Sequence, residues 1–213
     1  SFVWDTSFFE LLNYCAAKGN NSSYEWIAQV SLNTINNSSG ANAGYGDFRC
    51  ISTAVIQGNT YNITLTPGFS GTTYTEYWRI WIDFNHNGQF DDPSERVYSS
   101  TTATANAVNA SITIPPTALT GPTTMRVVMK WVASSDTSIP GACGNFAYGE
   151  VEDYGVNITT STPQPTCDIP NGIGTTGLTN NQATLIWDTV SGASNYNLRW
   201  RETGSAIWQN LTL

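Results

Sequence analysis

The stretch Tyr77-Trp78-Arg79-Ile80-Trp81-Ile82-Asp83 is dense in aromatic and β-branched residues. Such a run reads as a β-strand with at least one buried face. Thr123 to Trp131 is a second long strand, with Met125, Val127, Met129 and Trp131 on one face and Thr124, Arg126, Val128 and Lys130 on the other. Strand patterns also fall at Tyr24 to Leu32, Tyr61 to Thr66, Ser111 to Ile114 and Gly149 to Ile158. Residues 33–46, rich in Asn, Ser and Gly, read as a loop. Many short strands broken by Gly, Pro and Asn turns predict an all-β fold, an antiparallel, jelly-roll-like β-sandwich. Its core is expected to hold Trp78, Ile80 and Ile82 with Met125, Val127 and Met129. One short helix is expected at Thr6 to Leu12, capped by Thr6.

Charged residues make up 11% of the 213-residue chain and its net charge is -8. Duplex nucleic acid is a poor partner for such a surface. No apolar run has the roughly 20 residues that a membrane-spanning helix needs, so membrane insertion is not expected. Asn, Ser, Thr and Gly take the place of charge, which suits a secreted or cell-surface protein. Cys15, Cys50, Cys143 and Cys167 include no CxxC pair, and His86 is the one histidine, so zinc is a poor reading. Disulfides fit better, and they also place the chain outside the cytoplasm. Four cysteines allow three pairings. Cys15 with Cys143 is preferred because it would tie the domain's first segment to its last strand; Cys50 and Cys167 are left to pair or stay free, and free buried thiols are the alternative to any disulfide.

The segment after the first strand runs Asp83-Phe84-Asn85-His86-Asn87-Gly88-Gln89-Phe90-Asp91-Asp92-Pro93-Ser94-Glu95. Oxygen-bearing side chains alternate at Asp83, Asn85 and Asn87, Gly88 permits a sharp turn, and the Gln89 carbonyl would point inward. This is the ligand spacing of a Ca2+ loop. The twelfth position, which normally carries the bidentate carboxylate, is Ser94, so Glu95 is the expected final ligand, with Asp92 in reserve. The loop follows a strand, so no helix-loop-helix is implied. A polar hairpin without metal is the alternative, and His86 is expected to face outward.

Eight Lys and Arg occur in the whole chain, and Arg79, Arg126 and Lys130 lie mid-strand. Arg79 shares a face with Tyr77 and Trp81. A face interleaving these bases with Tyr77, Trp81 and the nearby Tyr74 would suit a polysaccharide, the rings stacking on sugars and the bases binding hydroxyls, carboxylates or sulfates. The competing reading is a cross-strand ion-pair ladder with Glu150 and Glu152. Trp131 reads as core. No nucleophile, base and orienting group converge, and Glu150 and Glu152 project from one strand instead of flanking a bond, so no enzyme activity is expected.

Residues 1–13 read as a leader, 14–158 as the β-sandwich domain, 159–166 (TTSTPQPT) as a Pro/Thr linker, and 167–213 as a truncated second β unit. The string Gly149-Glu150-Val151-Glu152-Asp153-Tyr154 resembles the signature of the GEVED domain family. The likeness extends over Tyr14-Cys15, Gly44 to Phe48, Leu65 to Ser70, Tyr77 to Asn85 and Met125 to Val127, about residues 14–158; Cys50 lies outside the pattern. The resemblance implies a non-catalytic module of large secreted proteins of Bacteroidota, joined to peptidases, glycoside hydrolases or adhesins. Residues 183–188 and 196–201 resemble early strands of a fibronectin type III domain. Together these readings lead to an accessory module that binds polysaccharide, an anionic one included, beside neighbouring domains of its own chain. The alternative is a structural or adhesive stalk that binds a cell-surface protein.

Overall fold

A computed structural model describes residues 13–90, 93–132, 138, 140–160, 170–179, 182–191, 193, 195–203 and 206–213. The chain divides into two compact units, Ser1–Ser161 and Thr162–Leu213. The helix expected at Thr6 to Leu12 lies outside the described residues, and all regular elements within them are strands.

In the first unit the strands are β1 (Ala17–Asn21), β2 (Glu25–Leu32), β3 (Ile35–Ser38), β4 (Tyr45–Ile56), β5 (Thr60–Phe69), β6 (Glu76–Ile82), β7 (Arg96–Ser99), β8 (Val108–Thr113), β9 (Gly121–Trp131) and β10 (Gly144–Thr159). They form two sheets. One has the order β3-β2-β5-β8, and the other runs β1-β10-β9-β6-β7 with β4 also paired to β10. Most pairings are antiparallel. β1 and β4 are the exceptions: they run parallel to β10, β1 along its first part and β4 from Val151 onward.

A single core cluster joins the two sheets. It takes Ile27, Val30 and Leu32 from β2 and Ile63 and Leu65 from β5, against Trp78, Ile80 and Ile82 from β6 and Met125, Val127 and Met129 from β9. The six core residues expected from strand periodicity are all there, each fully buried. Residues 33–46 depart from the expected loop, since β3 lies inside them and β4 starts at Tyr45. Ile35 explains the difference: one fully buried apolar side chain anchors an otherwise polar strand.

The other face of the larger sheet is covered too. Trp81, Val128 and Val151 pack there with Ala17, Phe90 and Ala142, beside Tyr14, Cys15, Tyr45 and Phe146. Cys15 and Cys143 form a disulfide across a sequence separation of 128, pinning this cover to the sheet as the preferred pairing anticipated. Cys50 is free and exposed, and Cys167 lies outside the described residues.

The second unit contains two hairpin-like sheets, β11 (Gly174–Thr176) with β12 (Thr184–Ile186) and β13 (Asn197–Trp200) with β14 (Gln209–Thr212). None of its described residues is buried. Trp187 packs on Tyr196 at 5.4 Å, and Arg199 and Arg201 lie over the Trp208 ring at 4.8 and 4.6 Å.

Candidate functional site

Directly opposed residues in an antiparallel sheet share a face. In the β10–β9 register Glu150 faces Met129 and Glu152 faces Val127, whereas Asp153 faces Arg126. Glu150 and Glu152 therefore project between the sheets, and Asp153 lies on the covered face with Arg126. This register rules out the ion-pair ladder read from the sequence.

Each of the inward carboxylates ties β10 to another part of the fold. Glu150 accepts N–H bonds from Ile27 at 2.8 Å and Asn42 at 2.6 Å. Burial raises its pKa, opposed by these two backbone donors. Glu152 accepts hydroxyl bonds from Ser39 at 2.6 Å and Tyr154 at 2.7 Å. Burial lifts its pKa to about 7, against the pull of those hydroxyls. The Tyr154 hydroxyl in turn accepts from Asn37 Nδ2 at 3.0 Å. Gly149 must lack a side chain, because its φ is +119° and a Cβ would fall 2.2 Å from the Met129 carbonyl oxygen.

On the covered face Arg126 makes a bidentate pair with Asp153, Nε to Oδ1 at 2.8 Å and Nη2 to Oδ2 at 2.7 Å. Its Nη1 donates to the carbonyls of Cys15 at 2.7 Å and Ala142 at 2.9 Å, and its guanidinium lies 4.9 Å from the centre of the Phe90 ring. Tyr45 donates to Asp153 at 2.9 Å, and burial followed by the Asp153 charge raises the Tyr45 pKa.

These bonds decide what the mid-strand bases can do. Arg126 is 2% exposed and Lys130 4%, and the Lys130 ammonium donates to Ser138 Oγ at 2.6 Å and to its carbonyl. Arg79 bonds Ser99 Oγ and the Pro140 carbonyl, and Trp81 is fully buried. Of the six residues expected to form a ligand face, Tyr74 and Tyr77 remain, both half-buried, while Trp81 and Arg126 are buried beneath the disulfide-pinned cover and Arg79 and Lys130 are bonded to neighbouring segments. The cover comes from segments distant in sequence, which strand periodicity does not register.

The oxygen-rich loop after β6 closes on itself. Asp83 accepts from Asn87 N, Gly88 N and the Tyr14 hydroxyl, and Glu95 Oε1 accepts from Phe84 N at 2.8 Å and Asn85 N at 3.2 Å. Burial, with the Asp83 carboxylate a smaller influence, pushes the Tyr14 pKa up to about 12. The amide oxygens of Asn85 and Asn87 accept from Asn87 N and Gln89 N. Asp83 and Glu95 are buried at 0% and 2% exposure, and Asp92 lies outside the described residues. Among the described residues no three His, Cys, Asp or Glu side chains gather as a metal cluster. Carboxylate and amide oxygens are the donors a hard cation takes, so the set fits such an ion in kind. His86 is half-buried with φ of +55°, not turned outward.

A different arrangement lies open at one end of the sandwich. A cavity of about 230 Å³ is lined by Tyr24, Glu25, Tyr74, Trp131 and Tyr148. Trp131 and Tyr148 meet edge to face at 5.4 Å and 90°, and Tyr74 meets Trp131 at 5.9 Å and 76°. Tyr24 extends the row from Tyr148 and Phe69 extends it from Tyr74. Glu25 opens β2 and is 2% exposed; Glu76 opens β6 and is fully buried. Glu25 Oε1 and both Glu76 carboxyl oxygens lack a hydrogen-bond partner. Burial pushes Glu25 to about 7, and burial with the Glu25 charge pushes Glu76 to about 8. Sequence reasoning reached Tyr74 here, took Trp131 for core, and passed over Tyr24, Glu25, Glu76 and Tyr148. The available signal was that each of these aromatics stands at a strand end or beside a glycine.

Residues 77–157 match the GEVED domain. The GEVED match runs from β6 through nearly all of β10, so it includes Arg126, the oxygen-rich loop and the whole signature. No match supports a fibronectin type III domain in residues 167–213, and a comparison with curated proteins finds no match. The Cys15–Cys143 disulfide is of a kind formed in oxidising, extracellular surroundings.

Proposed function

We propose that this is a non-catalytic recognition module of an exported protein, holding a carbohydrate polymer at the aromatic end of its sandwich. The observation that carries the reading is the row of five rings, Phe69, Tyr74, Trp131, Tyr148 and Tyr24, the last four of which line an open cavity. Aromatic faces offer apolar, rigid contact surface at little entropic cost, and recognition pockets concentrate such surface around a few polar groups. The engagement of Arg126 and Lys130 within the protein moves the reading away from anionic polymers. Glu150 and Glu152, the two carboxylates paired on one strand face, are fully buried and each holds two protein donors, which supports a binding role over hydrolysis. A Ca2+ ion bound by Asp83, Asn85, Asn87, Gln89 and Glu95, with Asp92, would serve as a structural clasp; it would join the loop's two ends by charge attraction.

Affinity electrophoresis against a panel of neutral, basic and sulfated polysaccharides tests the binding role. Retardation by at least one glycan, abolished by Tyr148→Ala with an unchanged melting temperature, is the expected result. Free migration through every gel would remove the basis of the reading.

A further inference from the structure

The ring-lined cavity also carries information about charge. Glu25 lines it, its Oε1 is buried without a partner, and both oxygens of Glu76 are likewise buried and unpartnered, the two residues being at least 98% buried. Burying polar atoms without partners is costly, and burying carboxylates costs most. Among the described residues neither carboxylate has a cation in ion-pairing distance, whereas Arg126 and Asp153 satisfy one another completely on the opposite face of the larger sheet. Two neighbouring acids without a counter-charge, one of them lining an open cavity, mark the place where a positive charge from outside would be stabilised.

The walls specify what kind of positive charge. Tyr24, Tyr74, Trp131 and Tyr148 supply ring faces, whose quadrupoles are negative, and the near-perpendicular contacts of Trp131 turn those faces in different directions around the space. A hard metal ion would require six to eight oxygen ligands, which aromatic walls do not provide. An acidic sugar would be repelled by Glu25, and a neutral one would leave the carboxylates uncompensated. The ring row continues past the cavity to Phe69, more than one amino-acid side chain would cover, which favours a polymer of ring-shaped units.

We infer that the pocket selects the protonated amine of an amino sugar within a carbohydrate polymer, with the ammonium directed at Glu25 and the sugar ring against Trp131 and Tyr148. Glu76 does not line the cavity and does not touch the ligand. This inference rests on the carbohydrate-binding reading above and narrows it to a basic saccharide.

Isothermal titration of the full chain at pH 7 decides it, with equal-length oligomers of glucosamine, N-acetylglucosamine and glucose, and with oligolysine as a fourth probe. The glucosamine oligomer is expected to bind at least tenfold more tightly than its N-acetylated counterpart. Glu25→Gln should erase that preference while leaving residual binding of the neutral oligomers. Tyr24→Ala, at a half-exposed position that poses little threat to folding, should weaken all saccharides together. Equal binding of the glucosamine and N-acetylglucosamine oligomers overturns the inference but leaves the carbohydrate reading standing. Binding of oligolysine alone overturns both in favour of a protein partner, and no binding by any saccharide does the same to both. A glucosamine preference that survives in Glu25→Gln removes the carboxylate from its assigned role.

Discussion

Replacing Glu76 with Gln should change how stability depends on pH more than it changes the fold. Glu76 is fully buried, its carboxyl oxygens have no partner, and its pKa is lifted from 4.5 to about 8. A carboxyl with a raised folded-state pKa binds its proton more tightly in the folded protein than in the unfolded chain. The folded state therefore loses relative stability as pH rises from about 4.5 to about 8, and the loss is constant above that. At 1.36 kcal/mol per pH unit, the full span corresponds to about 5 kcal/mol, and to about 3 kcal/mol by pH 7. Gln cannot ionise, so Glu76→Gln should show little of this decline. Urea unfolding of both proteins at pH 5, 7 and 9, followed by near-ultraviolet circular dichroism, measures the difference. The Gln variant should gain on the parent by a few kcal/mol between pH 5 and pH 9. Parallel stability curves for the two proteins would show that Glu76 carries no such burial penalty, and would refute the account of these two buried acids.

Three other outcomes follow from bonds described above. Asp153→Ala strands the buried Arg126 guanidinium and should cost about 3–5 kcal/mol in urea unfolding, whereas a paired Arg126→Met, Asp153→Leu replacement should recover most of it. Reducing the Cys15–Cys143 disulfide frees a loop whose ends are 128 residues apart and should cost up to about 5 kcal/mol by the chain-entropy relation, read as a fall in the denaturant midpoint. Chelator should lower the melting temperature of the parent protein, and Glu95→Gln should abolish the effect; an unchanged melt in the parent would leave the loop after β6 as a hydrogen-bonded turn.

Period-two alternation made β6 and β9 legible, because their central inward residues are apolar, and the core assembled from them as expected. The same alternation misled about the outward face. Arg79, Trp81, Arg126 and Lys130 alternate as solvent-facing residues would, but Trp81 and Arg126 lie under a cover built from residues 14–17, 90 and 142–146 that no local pattern announces, while Arg79 and Lys130 bond Pro140 and Ser138 in the segment leading to it. β3 escaped notice because Ile35 alone carries its burial. The acidic, ring-lined pocket was least legible. Glu25 and Glu76 are the first residues of strands separated widely in sequence, and only the packing of the two sheets brings them to one end of the sandwich.

The register of β10 also has a practical consequence for anyone cutting this chain at the ends of its GEVED match. A fragment limited to residues 77–157 would keep the signature letters but discard Ile27, Ser39 and Asn42, whose donors satisfy Glu150 and Glu152. It would also expose the core side of β6 and β9 to water and strip β10 of both parallel neighbours. Such a fragment should precipitate or remain unstructured, whereas one that starts ahead of Tyr14 can be expected to express as a soluble, cooperative unit.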